Sequence, residues 1–271
     1  MPPLPTVLNE LLGILNRQDV TAGQVAALIE RDTVLSGSVL RCVNSAYYGL
    51  PSQVSSIRHA VTLLGFGSVR NLAMVFSMRR MVSKKQPPAA LYAAYSQHAL
   101  AVAIMTQFLA HYTQSAETEA AFAAGLFHDI GHLLIMTTVP DAIPQVDSGL
   151  ESAGYDIEVC EQNVLGITHA ELATTILTEW KLPVSILEAA RQHHQPDETG
   201  LPNGTGGVSL ARLVLAADVY AKSQGLTIFP SMLIDDSASE AAFEKIGLKE
   251  RWTDLTARFQ GQFESIRDSI R

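Results

Sequence analysis

Histidine and aspartate side chains recur along the apolar faces of segments that have helical periodicity. His98 lies in one stripe with Tyr95, Val102 and Met105, because these positions fall on the same side of a helix. His169 shares a face with apolar residues in the same way. The full set that faces or borders a core is His98, His128, Asp129, His169, His193, His194 and Asp218.

Each of these residues alone fits an ordinary core. A lone buried histidine is usually hydrogen-bonded, and a lone inward aspartate is usually a cap or a member of an ion pair. The collection is different, because five predicted helices each direct imidazole or carboxylate inward and few basic residues accompany the two aspartates. An unpaired buried carboxylate is costly, whereas a divalent metal would satisfy all of these groups together.

The ligand types narrow the choice of metal. Imidazole and carboxylate without thiolate suit iron, manganese, zinc, nickel or cobalt. The set is too large for one tetrahedral ion and suits two octahedral ions bridged by Asp129, a pair that activates water and clamps a phosphate. We expect one ion at His98, His128, Asp129 and Asp218, and the other at His169, His193 and His194.

The elements that must position these residues are all predicted to be helices, since no run alternates as a strand does. Thr21 with Gln24 forms a capping pattern, and Asp32 can cap the helix Val34–Val43. Short helices are predicted over Ile57–Leu64 and Val69–Met81, with a stop at the glycines between them. Further helices are predicted near 90–112, 116–137, 157–164, 169–180, 183–194, 208–223 and 239–269, the last broken at Gly247.

Charge divides the chain into two parts. Residues 1–86 carry nine Lys/Arg and four Asp/Glu, whereas residues 87–271 carry ten Lys/Arg and 23 Asp/Glu. The sign changes at the polar, Pro-ending segment 83–88, which is typical of a linker. We therefore expect an N-terminal helical subdomain over 1–86 and a helical metal-binding domain over 87–271.

Composition excludes several classes of protein. Of the 271 residues, 47% are hydrophobic and 17% charged, which excludes disorder as the main state. The net charge of −8 argues against a partner that is a nucleic-acid polymer. Two cysteines are too few for a disulfide framework. The N-terminus lacks a signal-peptide pattern, and the apolar stretch Ala99–Ala110 is too short and polar to cross a bilayer, so a cytoplasmic protein without membrane association is expected.

The ordered set His98, His128-Asp129 and Asp218 resembles the H…HD…D pattern of the HD-domain metal phosphohydrolases. The dipeptide lies in the specific context Gly-Leu-Phe-His-Asp-Ile-Gly-His over residues 125–132. Segments 40–49 and 56–65 resemble the HDOD family (HD-related output domain), as do segments 166–169 and 180–183 and the pair His193-His194. The resemblance covers roughly residues 3–223. It implies an all-α, HD-like helical bundle in a bacterial signalling protein; many members have lost the metal ligands and act by binding partners.

This chain keeps the ligand set, yet it departs from the related cyclic-dinucleotide phosphodiesterases of the HD-GYP type. Those enzymes carry a lysine where this chain has His132, and a Gly-Tyr-Pro motif where it has Gly200-Leu201-Pro202. Ala94 stands where some of them carry a glutamate for a third metal. His132 would replace the phosphate-binding lysine only when protonated.

Three functions follow from these residues. The leading one is an HDOD signalling module with one or two divalent metals and a signalling protein as partner. The second is a phosphohydrolase acting on a nucleotide or cyclic dinucleotide, with Asp129 bridging the metals and His132 or Arg191 contacting phosphate. The third is a metal-free module for protein–protein interaction. The basic run 79–85 and the apolar stripe around Val34 are better explained as a solvated linker and core packing than as partner sites.

Overall fold

The computed structural model describes residues 5–14, 19–78, 87–196 and 207–270. Within those ranges the chain is helical and has no strand, which confirms the all-α fold class. The N-terminal helices are α1 (Thr6–Ile14), α2 (Ala22–Glu30), α3 (Thr33–Val43) and α4 (Ile57–Met78). The helices that follow are α5 (Ala89–Tyr112), α6 (Thr118–Phe127), α7 (Ile130–Thr138), α8 (Ala142–Gly149), α9 (Ile157–Leu165), α10 (His169–Glu179), α11 (Val184–Gln192), α12 (Leu210–Ser223), α13 (Asp236–Lys245) and α14 (Trp252–Ile270).

Side-chain N-caps define the first residue of several helices. Thr21 and Gln24 form the expected capping box at α2, and Asp32 accepts from the backbone N–H groups of Val34 and Leu35 at α3. Each side-chain acceptor satisfies a backbone donor that has no partner within the helix. A second capping box, between Thr168 and Glu171, starts α10 and so fixes where His169 begins that helix.

The helix break predicted at the glycines after Leu64 is confirmed: α4 continues past this point, but its backbone leaves the helical conformation at Gly65, where φ is 80° and ψ is 155°. This conformation is open to glycine because it has no Cβ. The single helix predicted near 116–137 is two helices that meet at His128-Asp129. The helix α8 was not predicted, although its buried residues Ile143 and Val146 have helical spacing.

The apolar core is continuous from the first helices to the last. The second half of α4, Val69–Met78, is buried on every side and packs between the N-terminal helices and α6. The terminal helix α14 follows the expected break at Gly247, where φ is 77°, and packs on both α3 and α5. The division at residue 86 stays a prediction, since residues 79–86, including most of the expected linker and the basic run, lie outside the described ranges.

Two helical stretches, Ile57–Met78 and Thr118–Thr138, are long and apolar enough to cross a membrane by length and composition alone. Most of each is buried inside the protein. Burial of this kind is typical of core helices in a soluble protein, and a cytoplasmic location stays a prediction.

Candidate metal centre

The helical bundle brings the predicted ligand residues together. His98 comes from α5, the pair His128-Asp129 from the junction of α6 and α7, and Asp218 from α12. His169 begins α10, while His193 and His194 follow the last turn of α11. His194 is half-buried and the other members of the set are buried. Four groups of three residues have ligand atoms within 4.8 Å of one another. Two of them are His98, His128 and Asp218, and His169, His193 and His194; the other two both contain Asp129.

The carboxylate of Asp129 lies between these two groups. Its Oδ2 atom is 3.4 Å from Nε2 of His98 and 3.4 Å from Nε2 of His128. Its Oδ1 atom is 3.4 Å from Nε2 of His169 and 3.4 Å from Nε2 of His193. One carboxylate therefore directs one oxygen to each histidine group, as a bridging ligand does.

Hydrogen bonds at Nδ1 set the tautomer of four of these histidines. Each Nδ1 faces an oxygen that can only accept, so Nδ1 carries the proton and Nε2 carries a lone pair. The bonds run from His98 to the carbonyl of Leu226 (2.8 Å), from His128 to Gly125 (2.8 Å), from His193 to Ala190 (2.9 Å) and from His169 to the Glu161 carboxylate (2.6 Å).

The free Nε2 atoms converge on one another. His98 and His128 have their Nε2 atoms 3.3 Å apart, and the corresponding separation between His169 and His193 is also 3.3 Å. Because both atoms of each pair carry lone pairs, no hydrogen bond can join them. Burial lowers the pKa of His128 to about 3 and also lowers that of His169, so neither ring supplies a second proton near neutral pH.

Two carboxylate oxygens at the same place are also without a hydrogen-bond partner. These are Oδ1 of Asp129 and Oδ1 of Asp218, both buried. Burial works against ionisation of Asp129, yet the neighbouring His128 and His132 hold its pKa well below the ordinary value. One possible donor reaches these atoms, Nε2 of His194 at 3.0 Å from Nε2 of His169. The remaining lone pairs and carboxylate oxygens converge without a hydrogen-bond partner, as they would around a divalent cation, so the residues fit a metal.

Asp218 is held by a neighbour in its own helix. Nζ of Lys222 lies 2.6 Å from Oδ2 of Asp218, one turn along α12. Burial raises the pKa of Asp218, but Lys222, together with His98 and His128, outweighs burial and the pKa lies below its usual value. Lys222 therefore leaves the other oxygen of Asp218 directed at the centre.

Glu161 is a functional candidate that the sequence analysis missed. It is fully buried in α9, and its Oε1 lies 2.7 Å from Nε2 of His132 while its Oε2 lies 2.6 Å from Nδ1 of His169. Its position on one helical face with Ile157 and Cys160, both buried, was the available signal. A glutamate on that face has to be paired inside the protein.

The two residues expected to contact phosphate lie in different surroundings. His132 is buried, with Nδ1 3.2 Å from Oδ2 of Asp129 and Nε2 against Glu161. Burial lowers the pKa of His132, but the two carboxylates outweigh it and raise the pKa to about 10. This geometry favours a positioning role over a phosphate contact. Arg191 is exposed near the end of α11 and makes no hydrogen bond or ion pair to the described ligand residues, so its phosphate contact stays a prediction.

Close helix packing positions the ligands. A Cβ built on Gly125 would lie 2.7 Å from the carbonyl oxygen of Val102 in α5, and one built on Gly131 would overlap the carbonyl of His169. Glycine at these positions lets α6 approach α5 and lets α7 approach α10. The two glycines flank His128-Asp129, so both helix contacts are made next to the bridging carboxylate.

Two curated proteins are similar to parts of this chain. A curated protein of uncharacterised function from Treponema pallidum (strain Nichols) is 24% identical over 200 residues, which are 72% of this chain and 37% of that protein. The uncharacterised protein YuxH of Bacillus subtilis (strain 168) is 32% identical over 75 residues, 28% of this chain and 18% of that protein. The chain thus spans less than half the length of each of these curated relatives.

Solved structures share the whole fold. An HDOD domain protein of unknown function from Geobacter sulfurreducens has a TM-score of 0.77 at 22% identity, covering 99% of this chain and 93% of that one. A candidate phosphohydrolase from Shewanella amazonensis SB2B has a TM-score of 0.75 at 26% identity, covering 100% of this chain and 95% of that one. A candidate signal transduction protein from Marinobacter aquaeolei VT8 has a TM-score of 0.77 at 25% identity, covering 100% of this chain and 60% of that one. The HDOD domain model matches residues 1–196, and the chain belongs to the HDOD family.

Proposed function

We propose that this chain is a signal-transduction module that binds two divalent metal ions. The first ion would be held by His98, His128 and Asp218, and the second by His169, His193 and His194, with Asp129 shared between them. The observation that carries this proposal is the convergence of unprotonated Nε2 atoms and partnerless carboxylate oxygens in a buried place. Iron, manganese, zinc, nickel and cobalt all suit this ligand set.

Manganese provides a direct test of the shared carboxylate. The chelator-treated protein is titrated with Mn²⁺ and followed by electron paramagnetic resonance. Two ions bridged by Asp129 are expected to be magnetically coupled, and Asp129→Ala is expected to remove the coupled signal. Only uncoupled, weakly held Mn²⁺ in the unsubstituted protein would contradict a bridged pair.

Hydrolysis of a phosphoester is the second candidate function. Eight metal–ligand bonds from these side chains would leave positions open on two octahedral ions, and Asp129 and His194 retain some exposure. Bound divalent ions lower the pKa of water and polarise phosphate oxygens. The chain's own residues would orient the site: Asp129 bridges, Lys222 holds Asp218, and His132 holds Asp129. The similar Shewanella protein, a candidate phosphohydrolase, supports this reading.

A screen with nucleotides, cyclic dinucleotides and nitrophenyl phosphoesters tests the enzymatic proposal. Metal-loaded protein should release product, and Asp129→Ala should abolish the release. If the fully loaded protein turns over none of these compounds, the centre has a binding or structural role. The partner that we propose in either case is a signalling protein or domain, in line with the similar candidate signal transduction protein from Marinobacter.

A further inference from the structure

Glu161 connects the proposed ligand His169 to His132, which lies beside the bridging ligand Asp129. Its Oε1 accepts from Nε2 of His132 at 2.7 Å, and its Oε2 accepts from Nδ1 of His169 at 2.6 Å. The Oε2 atom also accepts from the backbone N–H of His169 at 2.8 Å. Both oxygens of one buried carboxylate are therefore committed to groups that surround the centre.

The first connection runs directly to a proposed ligand. By accepting from Nδ1 of His169, Glu161 fixes the tautomer that presents Nε2 to the second ion. The bond from the backbone N–H fixes the start of α10 as well, so the ring has little freedom to turn. Carboxylates in this position also raise the basicity of the imidazole that they hold.

The second connection runs through His132 to the bridging carboxylate. Nε2 of His132 is held by Glu161, which directs Nδ1 to within 3.2 Å of Oδ2 of Asp129. The ring of His132 also stacks on that of His169, with centroids 4.1 Å apart and planes inclined by 16°. Glu161 thus places the His132 ring in ion-pair contact with Asp129, which connects it to the bridging carboxylate through one intermediate side chain.

We propose that Glu161 is a positioning residue that couples the bridging ligand Asp129 to the second-ion ligand His169, and that it acts on Asp129 through His132. This inference rests on the proposed metal site. Glu161 makes no hydrogen bond or ion pair to His98 or Asp218 in the described part of the chain. Its loss should therefore weaken the second ion far more than the first.

The test is a competition titration of chelator-treated protein with Mn²⁺ or Zn²⁺ against a chromophoric chelator. Loss of a carboxylate that supports a metal-bound histidine typically weakens metal binding about 10- to 100-fold. Glu161→Gln should weaken the second ion by about that factor and the first ion much less, because Glu161 reaches the first-ion oxygen of Asp129 only through His132. Glu158→Gln is the matched control: it removes the same charge from the same helix, but from a half-buried side chain with no hydrogen bond to the described ligand residues.

A second variant isolates the connection through His132. His132→Gln leaves the bond between Glu161 and His169 in place, so it should weaken the second ion less than Glu161→Gln does. Because Glu161 acts partly through His132, the double variant should lose less affinity than the product of the two single losses. His132→Gln alone tests this connection if Glu161→Gln fails to fold.

The outcomes separate this inference from the proposed function. Failure of the unsubstituted protein to bind metal would overturn the proposed function itself. Two tightly bound ions in the unsubstituted protein, with unchanged affinities in both Glu161→Gln and His132→Gln, would overturn only the positioning role. Equal weakening of both ions, or the same loss in Glu158→Gln, would also overturn it, because a general charge or folding effect would then account for the result.

Discussion

Gly131 and His169 are in backbone contact. A Cβ built on Gly131 would overlap the carbonyl oxygen of His169 and lie 2.8 Å from its carbonyl carbon. These atoms belong to helix backbone, which cannot turn aside as a flexible side chain can. The absence of a side chain at position 131 therefore sets the distance between α7 and α10, and with it the distance between Asp129 and His169.

Gly131→Ala should consequently push α10 away from α7. We expect a loss of stability of about 1–3 kcal/mol from the overpacked contact and a weakened second ion, measured by urea unfolding and by metal titration. Gly37→Ala makes the same change in the middle of α3, where nothing lies within 4 Å of the added Cβ. That control should gain up to about 1 kcal/mol from helix propensity. Unchanged metal binding in Gly131→Ala would contradict this role of the contact.

The metal-free protein should lose stability as pH falls below about 6.5. Burial lowers the pKa of His128 to about 3 and that of His169 below its usual value, so the unfolded chain takes up protons there that the native protein does not. Stability then decreases by up to about 1.4 kcal/mol per pH unit for each such histidine. The pKa of His132 is shifted in the opposite direction, to about 10. This shift decreases stability only as pH rises above 6.5, so it does not change the dependence of stability on pH below 6.5.

Urea unfolding of the chelator-treated protein between pH 7 and pH 5 measures this dependence. His128→Gln should flatten the slope, whereas replacement of the exposed His59 by Gln should not. A stability that is constant from pH 7 to pH 5 would show that these histidines are not buried in the neutral form.

Lys222 should matter most when metal is absent. Its ion pair with Asp218 joins side chains that are 13% and 3% exposed, so Lys222→Met leaves a buried carboxylate without compensation. We expect a loss of about 3 kcal/mol in the metal-free protein and a smaller loss in the metal-loaded protein, because the ion compensates the same charge. Lys249→Met removes an exposed ion pair with Glu244 that solvent screens, and it should be close to neutral. Equal losses for Lys222→Met in both forms would argue against an ion next to Asp218.

The terminal helix should support the fold without contributing to metal binding. Phe259 in α14 is buried and contacts Tyr220 in α12, with ring centroids 4.9 Å apart. Phe259→Ala should cost about 3–5 kcal/mol of unfolding free energy while the folded protein keeps its metal stoichiometry. Gln260→Ala, at an exposed neighbouring position, should be close to neutral. Loss of metal from folded Phe259→Ala would show that α14 also positions the centre.

Periodicity was sufficient to predict much of the candidate site. The helical faces that contain His98 and His169 were predicted to point inward, and both residues are buried within the cluster. Glu161 lies in a helix that was predicted, but a single glutamate beside Ile157 and Cys160 does not by itself indicate a functional residue. Pairing of Glu161 with His132 depends on the contact of separate helices, which no local pattern specifies.

The break between α6 and α7 could not be predicted from local pattern either. Apolar residues continue on both sides of His128-Asp129, so the sequence resembles one helix through the break. The backbone of Asp129 instead has φ −101° and ψ 19°, outside the helical range. This turn places the bridging carboxylate between the two histidine groups, a requirement of the tertiary arrangement rather than of helix propensity.

The metal content of each chain, measured by inductively coupled plasma mass spectrometry, tests the central claim most directly. The protein is reconstituted with manganese, iron, zinc, nickel or cobalt and freed of unbound ions. Alongside it are measured His128→Ala/Asp129→Ala and a control, His111→Ala/Asp141→Ala, which changes exposed residues of the same types. We predict two ions per chain in the unsubstituted protein and in the control, and loss of both ions in His128→Ala/Asp129→Ala. No retained ion with any of these metals, or full retention in His128→Ala/Asp129→Ala, would contradict a metal centre at this cluster.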